Sequence, residues 1–229
     1  MKFPRTPHVY AEYSGLSLDD KRYSTRESEE ILEGKYVVLT EKLDGSNVSI
    51  EFESNGELLI KFKGNPAATE EFNLLKNICN SKHERLKNIL GQNLILFGEW
   101  VYCLHTIRYS RLPHYLFIFD LYDKKREIFL PYRRVIDVSN NLRFPTPRIL
   151  YEGIYPGFEY LKNLLDLTSA YGDEKIEGVY GKIEDDEKVI FRFKFVNPEF
   201  RKRVDESVHW KKKQPEIQGL IVNINELFL

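Results

Sequence analysis

The sequence contains few cysteines and no long apolar run. Its 229 residues include two cysteines, Cys79 and Cys103, and five histidines that show no metal-ligand spacing. Without a CxxC motif or a pairing framework, the sequence argues against a disulfide scaffold and a zinc site. No segment approaches the roughly 18 apolar residues of a membrane span, and no apolar stretch follows the first five residues. We therefore expect a cytoplasmic protein with reduced thiols and no membrane partner.

The sequence also lacks a marked net charge. Its 34 Lys and Arg residues nearly balance its 35 Asp and Glu residues, which gives a formal net charge of -1. The chain therefore has no general attraction to nucleic acid, and such a partner would need a local basic patch. One candidate patch combines Arg201-Lys202-Arg203 with Trp210 and Lys211-Lys212-Lys213. It could contact a phosphate backbone, or it could be a solvated helix end.

The remaining composition is typical of one soluble mixed domain. Hydrophobic residues make up 42% of the chain, charged residues 30% and aromatic residues 14%, which suits a strand-rich fold. No repeat, low-complexity segment or Gly/Ser linker divides it. We expect an α+β fold of antiparallel sheets flanked by helices, with an N-terminal arm over 1–34, a core over 35–195 and a C-terminal helix and tail over 196–229.

Periodicity and turn signals predict the order of the elements. Because Ser54-Asn55-Gly56 is a tight-turn sequence, strands at 35–41, 47–53 and 57–63 are predicted to form an antiparallel meander. Further strands are predicted at 94–97, 115–119, 177–183 and 188–195. Helices are predicted at 24–32, in one or two segments within 69–90, at 131–138, at 158–167 and from Pro198 toward Trp210.

The stretch Glu41-Lys42-Leu43-Asp44-Gly45-Ser46-Asn47 joins the first two predicted strands. One interpretation is an ordinary hairpin, because Asp-Gly is among the commonest turn dipeptides. The other is a functional site, in which a nucleophilic or phosphate-binding lysine is held at a strand end beside carboxylates. This stretch alone favours the hairpin, so the rest of the chain must decide.

Other charged residues also lie within or at the ends of strands that look buried. Burying a charge without a partner is costly, so these residues are expected to face a shared cleft. Arg192 and Lys194 alternate with phenylalanines, which places both cations on one strand face. That face could bind polyphosphate or could simply be solvated. The full set is Lys42, Asp44, Lys61, Lys63, Glu99, Glu177, Lys182, Arg192 and Lys194.

In their order and spacing, these motifs resemble the covalent nucleotidyltransferase superfamily of ATP-dependent DNA ligases, RNA ligases and mRNA capping enzymes. The chain looks most like the phage-type ATP-dependent RNA ligases that repair broken RNA. The resemblance implies the adenylyltransferase domain of an ATP-grasp-like ligase catalytic fold. The matching segments are 41–47 for motif I, 61–64 for Ia, 97–100 for III, 117–120 for IIIa, 177–182 for IV and 191–194 for V.

The resemblance also implies a three-step reaction. Lys42 would attack the α-phosphate of ATP and expel pyrophosphate, the AMP would pass to an RNA 5′-phosphate, and an RNA 3′-OH would then displace it. Because a lysine amine is mostly protonated at neutral pH, the site must lower its pKa by desolvation or positive charge. Cations expected to supply that charge are Lys182, Arg192, Lys194 and a bound Mg²⁺, with Mn²⁺ as an alternative.

The same resemblance assigns roles around the nucleotide. Glu99 would bind the ribose, Phe119 would stack on adenine, and Glu41 with its backbone would read the adenine edge. Glu177 would face the metal, and Asp44 would orient the amine or its neighbours. The remaining predicted contacts, to phosphate or pyrophosphate, are Asn47, Lys63, Lys182, Arg192 and Lys194.

Some features depart from the family pattern. Motif V usually has Lys-x-Lys but here begins with Arg192, and motif Ia often has an arginine where this chain has Lys63, with Lys61 as a rival. We expect no separate OB-fold or helical domain after motif V, so the full cycle would need a protein partner or a compact substitute. The alternatives are a DNA ligase, a GTP-dependent capping-type enzyme, or a non-catalytic module that binds RNA or nucleotide.

Overall fold

The structure, a computed structural model, describes residues 1–16, 20–207 and 216–229. Strands in these residues are β1 Tyr36–Lys42, β2 Ser46–Phe52, β3 Leu58–Phe62, β4 Asn65–Pro66, β5 Leu94–Trp100, β6 Leu116–Asp123, β7 Ile128–Phe129, β8 Ile149–Ile154, β9 Gly178–Glu184 and β10 Val189–Val196. Helices are α1 Thr25–Leu32, α2 Asn73–Ser81, α3 His83–Leu90, α4 Tyr132–Leu142, α5 Phe158–Leu164 and α6 Pro198–Ser207. Short 3-10 helices occupy Ala11–Tyr13, Glu70–Phe72 and Ile224–Phe228.

Two antiparallel sheets carry the fold. The four-stranded sheet has the order β10-β9-β1-β8, and the six-stranded sheet has the order β4-β3-β2-β5-β6-β7. Helices α2, α3 and α4 pack on the six-stranded sheet, while α1 and α5 cover the other. The predicted α+β architecture of antiparallel sheets flanked by helices is confirmed.

The predicted meander of the first three strands is wrong. β1 pairs with β8 and β9, whereas β2 pairs with β3 and β5 in the other sheet. The segment 43–45 is therefore a crossover between sheets and not a hairpin turn. Gly45 is required there by close packing, because a Cβ at this position would lie 2.7 Å from the Trp100 carbonyl oxygen. The second hairpin, β2 to β3 through Asn55-Gly56, is confirmed.

Strand β8 is an element that the sequence analysis did not predict. It lies at the edge of the four-stranded sheet, and its residues are half-buried or exposed. Because one side of an edge strand faces solvent, its side chains show neither a continuous apolar run nor a strict alternation. β8 is held in the sheet by its hydrogen bonds to β1. The residues that stabilise it as a strand therefore lie more than 100 residues away in the sequence.

The predicted helices are present, with small shifts at their ends. Ser24 and Glu27 form the capping box of α1, and the 69–90 segment contains α2 and α3. α4 continues to Leu142, and α5 ends at Leu164. Helix α6 begins at Pro198 as predicted, but the predicted continuation to Trp210 and the cations at 211–213 lie outside the described residues. No helix in the described part of the chain is long and apolar enough to cross a membrane.

The N-terminal arm runs along the outer strand of the four-stranded sheet. The Lys194 N–H donates to the Pro7 carbonyl at 2.9 Å, and the Val9 N–H donates to the Lys194 carbonyl at 3.1 Å. Val9 and Tyr10 are fully buried and join the core of this sheet. This backbone pairing carries residues 2–6 across the gap between the two sheets, where they line a cavity.

Candidate active site

A cavity of about 260 Å³ lies between the two sheets and the N-terminal arm. Strand ends from both sheets supply its polar wall, and residues 2–6 of the arm supply the opposite side. The crossover at 43–45 places β1 and β2 on different walls of the cavity. Residues predicted from the sequence that line it are Glu41, Lys42, Asn47, Lys63, Glu99, Phe119 and Lys194.

Lys42 lies at the end of β1, surrounded by carboxylates. Its Nζ is 2.6 Å from Oε1 of Glu177, the residue that precedes β9. Burial lowers the pKa of Lys42, but the charges of Glu177, Glu99 and Asp44 outweigh burial, so the pKa is raised. The expectation of a lowered lysine pKa is therefore wrong, because the charges of the surrounding acids outweigh burial.

The acids around Lys42 are themselves shifted. Burial raises the pKa of Glu99 to about 8, and the charges of Glu177 and Asp44 add to this effect while Lys42 opposes it. Burial likewise raises the pKa of Glu177 to about 7, again against the charge of Lys42. Because the two carboxyls titrate near neutral pH, they can hold or release protons beside the amine.

Glu177 is not among the residues that line the cavity, but it contacts Lys42, which does line it. Its Oε2 is buried and has no hydrogen-bond partner, although Oε1 pairs with Lys42. The described residues contain no cluster of three or more His, Cys, Asp or Glu side chains that could hold a metal. An ion here would therefore take most of its ligands from water and phosphate oxygens, as Mg²⁺ commonly does. The residues present fit such an ion.

Asp44 anchors the loop that follows β5. Its Oδ2 accepts hydrogen bonds from the backbone N–H groups of Thr106 and Ile107 at 2.7 and 2.8 Å. Its own N–H donates to the Tyr109 hydroxyl at 2.9 Å. Asp44 thus acts on Lys42 through its charge and fixes the crossover. The sequence analysis missed this loop, whose residues carry no recognisable motif.

Lys182 and Arg192 do not line the cavity. The Lys182 Nζ lies 2.6 Å from Asp120 Oδ1 and donates to the Phe119 carbonyl at 2.6 Å, and both charged side chains are essentially buried. Arg192 lies 3.6 Å from the other Asp120 oxygen and stacks on Phe129, with 3.7 Å between its guanidinium carbon and the ring centroid. Instead of facing the cavity, these cations hold the middle of β6, where Asp120 follows Phe119.

Glu41 on β1 and Lys194 on β10 both line the cavity from the four-stranded sheet. The Glu41 carboxylate accepts from the Ser169 hydroxyl at 2.5 Å and the Ala170 N–H at 3.2 Å, and it pairs with Arg148 at 3.3 Å. Its side chain therefore fixes the 168–170 loop, and burial raises its pKa. Burial and the charge of Lys42 lower the pKa of Lys194.

An aromatic corner closes the apolar end of the cavity. Phe119 is almost buried and lies edge-on to Phe3 and Tyr180, with centroid separations of 5.3 and 5.6 Å. Lys63 borders the cavity with a left-handed φ of 51°, followed by Gly64 at 89°. The contribution of the arm, including Phe3, was missed, because only tertiary structure brings residues 2–6 beside 119.

Comparisons with known proteins bear on the family and the fold. A family model described as RNA ligase matches residues 35–196. The structure is similar to Naegleria gruberi RNA ligase with PPi, with a TM-score of 0.67 and 18% identity over 90% of this chain and 60% of that chain. A lysine-to-alanine mutant of that ligase with ATP and Mn gives a TM-score of 0.60 and 19% identity over 76% of this chain and 53% of that one.

The coverage limits what these likenesses show. At such identities they show a shared fold, and the chain spans between 53% and 60% of the length of these two ligase chains. No curated protein matches the chain by sequence. The family match and the shared fold nevertheless agree with each other.

Proposed function

The chain belongs to the RNA ligase family and has its nucleotidyltransferase-type fold; from this premise we propose that it is an ATP-dependent RNA ligase that works through a lysyl-AMP intermediate. The observation that carries the proposal is the position of Lys42. Its Nζ lies on the wall of an aromatic-ended cavity and pairs with a buried glutamate. The proposed role is the joining of RNA 5′-phosphate and 3′-OH ends, as in RNA repair.

The lining residues suggest how ATP would lie. Adenine would pack beside Phe119 in the aromatic corner, and Glu99 would bind the ribose. Because the Glu41 carboxylate already has three partners, the backbone beside it would read the adenine edge. Asn47, Lys63 and Lys194 would contact the phosphates, which are best stabilised by several donors and cations held in place.

The buried Glu177 Oε2 would be the protein ligand of a divalent metal, Mg²⁺ or Mn²⁺. When bound, such an ion would neutralise phosphate charge and weaken the hold of Glu177 on the Lys42 ammonium. Similar structures of Naegleria gruberi RNA ligase mutants contain ATP and Mn, which supports ATP and a divalent metal as the cofactors.

Lys42 must lose a proton before it can attack. Glu177 Oε1, 2.6 Å from Nζ, is the nearest acceptor, and a weaker hold of Glu177 on the ammonium would let the raised pKa of Lys42 fall. The N–P bond to the α-phosphate would form as the bond to pyrophosphate breaks. AMP transfer to RNA and attack by the 3′-OH would complete the cycle, and a partner that supplies a further module stays a prediction.

Labelling with ATP tests the proposal directly. Incubation with α-labelled ATP and Mg²⁺ should label the wild-type protein and leave Lys42→Ala unlabelled. Lys175→Ala is the matched control, because Lys175 pairs with Asp166 on the surface and does not line the cavity. This control should label normally.

The alternatives give different results in the same system. A preference for GTP would favour a capping-type enzyme, and sealing of nicked DNA but not RNA would favour a DNA ligase. A wild-type protein that binds RNA yet takes no label from any nucleotide would be a non-catalytic module. Chelation of the metal should abolish labelling if the proposal is correct.

A further inference from the structure

A chain of polar groups connects the N-terminal arm to the cavity. Ser14 and His8 are buried, and Asp20 and Lys194 are half-buried. Asp20 Oδ1 lies 3.1 Å from the Lys194 Nζ, and Asp20 Oδ2 lies 3.0 Å from the His8 Nε2. The arm therefore contacts a cavity-lining cation through one carboxylate.

The remaining polar contacts lead from His8 back to β10, the strand that carries Lys194. His8 Nδ1 lies 2.6 Å from the Ser14 hydroxyl, and that hydroxyl accepts from the Val196 N–H at 3.1 Å. Val196 follows Lys194 by two residues on β10. The contacts thus form a closed loop that starts at the β10 backbone and ends on the β10 lysine side chain.

The hydrogen-bond pattern assigns a state to His8. Burial and the charge of Lys194 lower the pKa of His8 to about 4, so the ring is neutral at pH 7. The Asp20 carboxylate accepts from both Lys194 and His8, which places the His8 proton on Nε2. His8 Nδ1 is then the acceptor for the Ser14 hydroxyl. Each group in the loop has a complementary partner.

A hydrolytic Ser-His-Asp site is the alternative, and the structure disfavours it. Neither Ser14 nor His8 lines the cavity, and the Ser14 hydroxyl is occupied on both sides. A histidine with a pKa of about 4 is also a weak general base at pH 7. The loop is built to hold groups in place.

Lys194 has a reason to need such support. Its side chain is long and flexible, and the nearby charge of Lys42 repels its ammonium group. Without a fixed anion, the ammonium group would move toward solvent and leave the cavity. Asp20 offsets that repulsion from the side of Lys194 that faces the arm.

We propose that Asp20 is a positioning residue that fixes the Lys194 ammonium in the cavity, and that His8 and Ser14 hold the Asp20 carboxylate through hydrogen bonds anchored on β10. This inference rests on the proposed function, because it assigns Lys194 to the phosphates of ATP. It extends the site to the arm, which lies outside the 35–196 match to the family model.

The test measures the single-turnover rate of self-labelling against ATP concentration. Asp20→Ala should raise the half-saturating ATP concentration roughly tenfold, the effect expected when one charge-assisted contact is lost. The maximal rate should change much less, because Lys42 and its acids remain. Asp20→Asn keeps the size and one acceptor, so its effect should be smaller. Asp173→Ala, which removes a surface partner of Arg111, should match wild type.

A double-mutant cycle separates positioning from general stability. If Asp20 acts through Lys194, the Asp20→Ala/Lys194→Ala protein should match Lys194→Ala alone. Two results would overturn the inference. One is a double variant whose half-saturating ATP concentration rises by the product of the two single effects. The other is an Asp20→Ala protein with the wild-type value while Lys194→Ala is impaired. Should Asp20→Ala fail to fold by circular dichroism, the cycle is run with Asp20→Asn. An unlabelled wild-type protein would instead refute the proposed function.

Discussion

Replacing Lys182 by methionine tests whether this lysine supports Phe119 or contacts phosphate. Its Nζ pairs with Asp120 at 2.6 Å and donates to the Phe119 carbonyl, and both side chains of the pair are at most 1% exposed. Methionine keeps much of the volume but leaves the Asp120 carboxylate short of one partner. Removing one member of a buried ion pair costs about 3–5 kcal/mol.

This loss is large enough to measure by simple unfolding. For a chain of this size, about 3–5 kcal/mol corresponds to a fall in melting temperature of about 6–20 °C. The assay is thermal and urea unfolding of the wild type and Lys182→Met, with Lys175→Met as a surface control that should not differ from wild type. Adding Asp120→Asn to Lys182→Met should cost less than the sum of the single changes, because no unpaired carboxylate remains.

Labelling by ATP gives the complementary measurement. Below its melting temperature, Lys182→Met should still label, with weaker ATP binding because the part of β6 that carries Phe119 is less well held. The reasoning would be refuted by a Lys182→Met protein whose unfolding free energy stays within about 1 kcal/mol of wild type while labelling is lost. That result would place Lys182 on the nucleotide.

Three further predictions concern the acids around Lys42. The pKa of Glu99 is raised from 4.5 to about 8, so between these values the folded state binds more protons than the unfolded state and stability falls as pH rises; Glu99→Gln should flatten this fall in melts from pH 5 to pH 8. Asp44→Ala should lower the free energy of unfolding in urea by about 2–4 kcal/mol, because the buried Ile107 N–H and the part-buried Thr106 N–H lose their acceptor, whereas Asp44→Asn, which keeps an acceptor, should cost less. Glu177→Gln should raise the Mg²⁺ concentration needed for half-maximal labelling, and an unchanged Mg²⁺ dependence would contradict the metal assignment.

Local pattern predicted the elements better than their pairing. The apolar and alternating runs on either side of 41–47 correctly indicate β1 and β2, but the Asp-Gly dipeptide suggested a hairpin that does not form. The same dipeptide suits a tight turn and a crossover, and only the partners of each strand distinguish them. β8 was missed for a related reason, since an edge strand is formed by its neighbour and carries little pattern of its own.

The predicted site residues show the same division. Lys42, Glu99 and Phe119 line one cavity, as their positions at strand ends suggested. Lys182 and Arg192 were predicted to contact phosphate. In the structure, both instead pair with the buried Asp120. The order of the motifs cannot reveal this pairing. A charged residue in or beside a buried strand could bind a ligand or form an ion pair inside the protein, and the sequence is compatible with both.

By itself, the sequence determined the fold class, the family resemblance and the placement of a lysine among acids at a strand end, because these depend on residue order and local periodicity. Tertiary structure decided which charges face the cavity, the raised pKa of Lys42, and the contribution of the N-terminal arm. The physical reason is that burial and charge pairing depend on distances between remote segments. His8, Asp20 and Lys194 meet only because the arm pairs with β10.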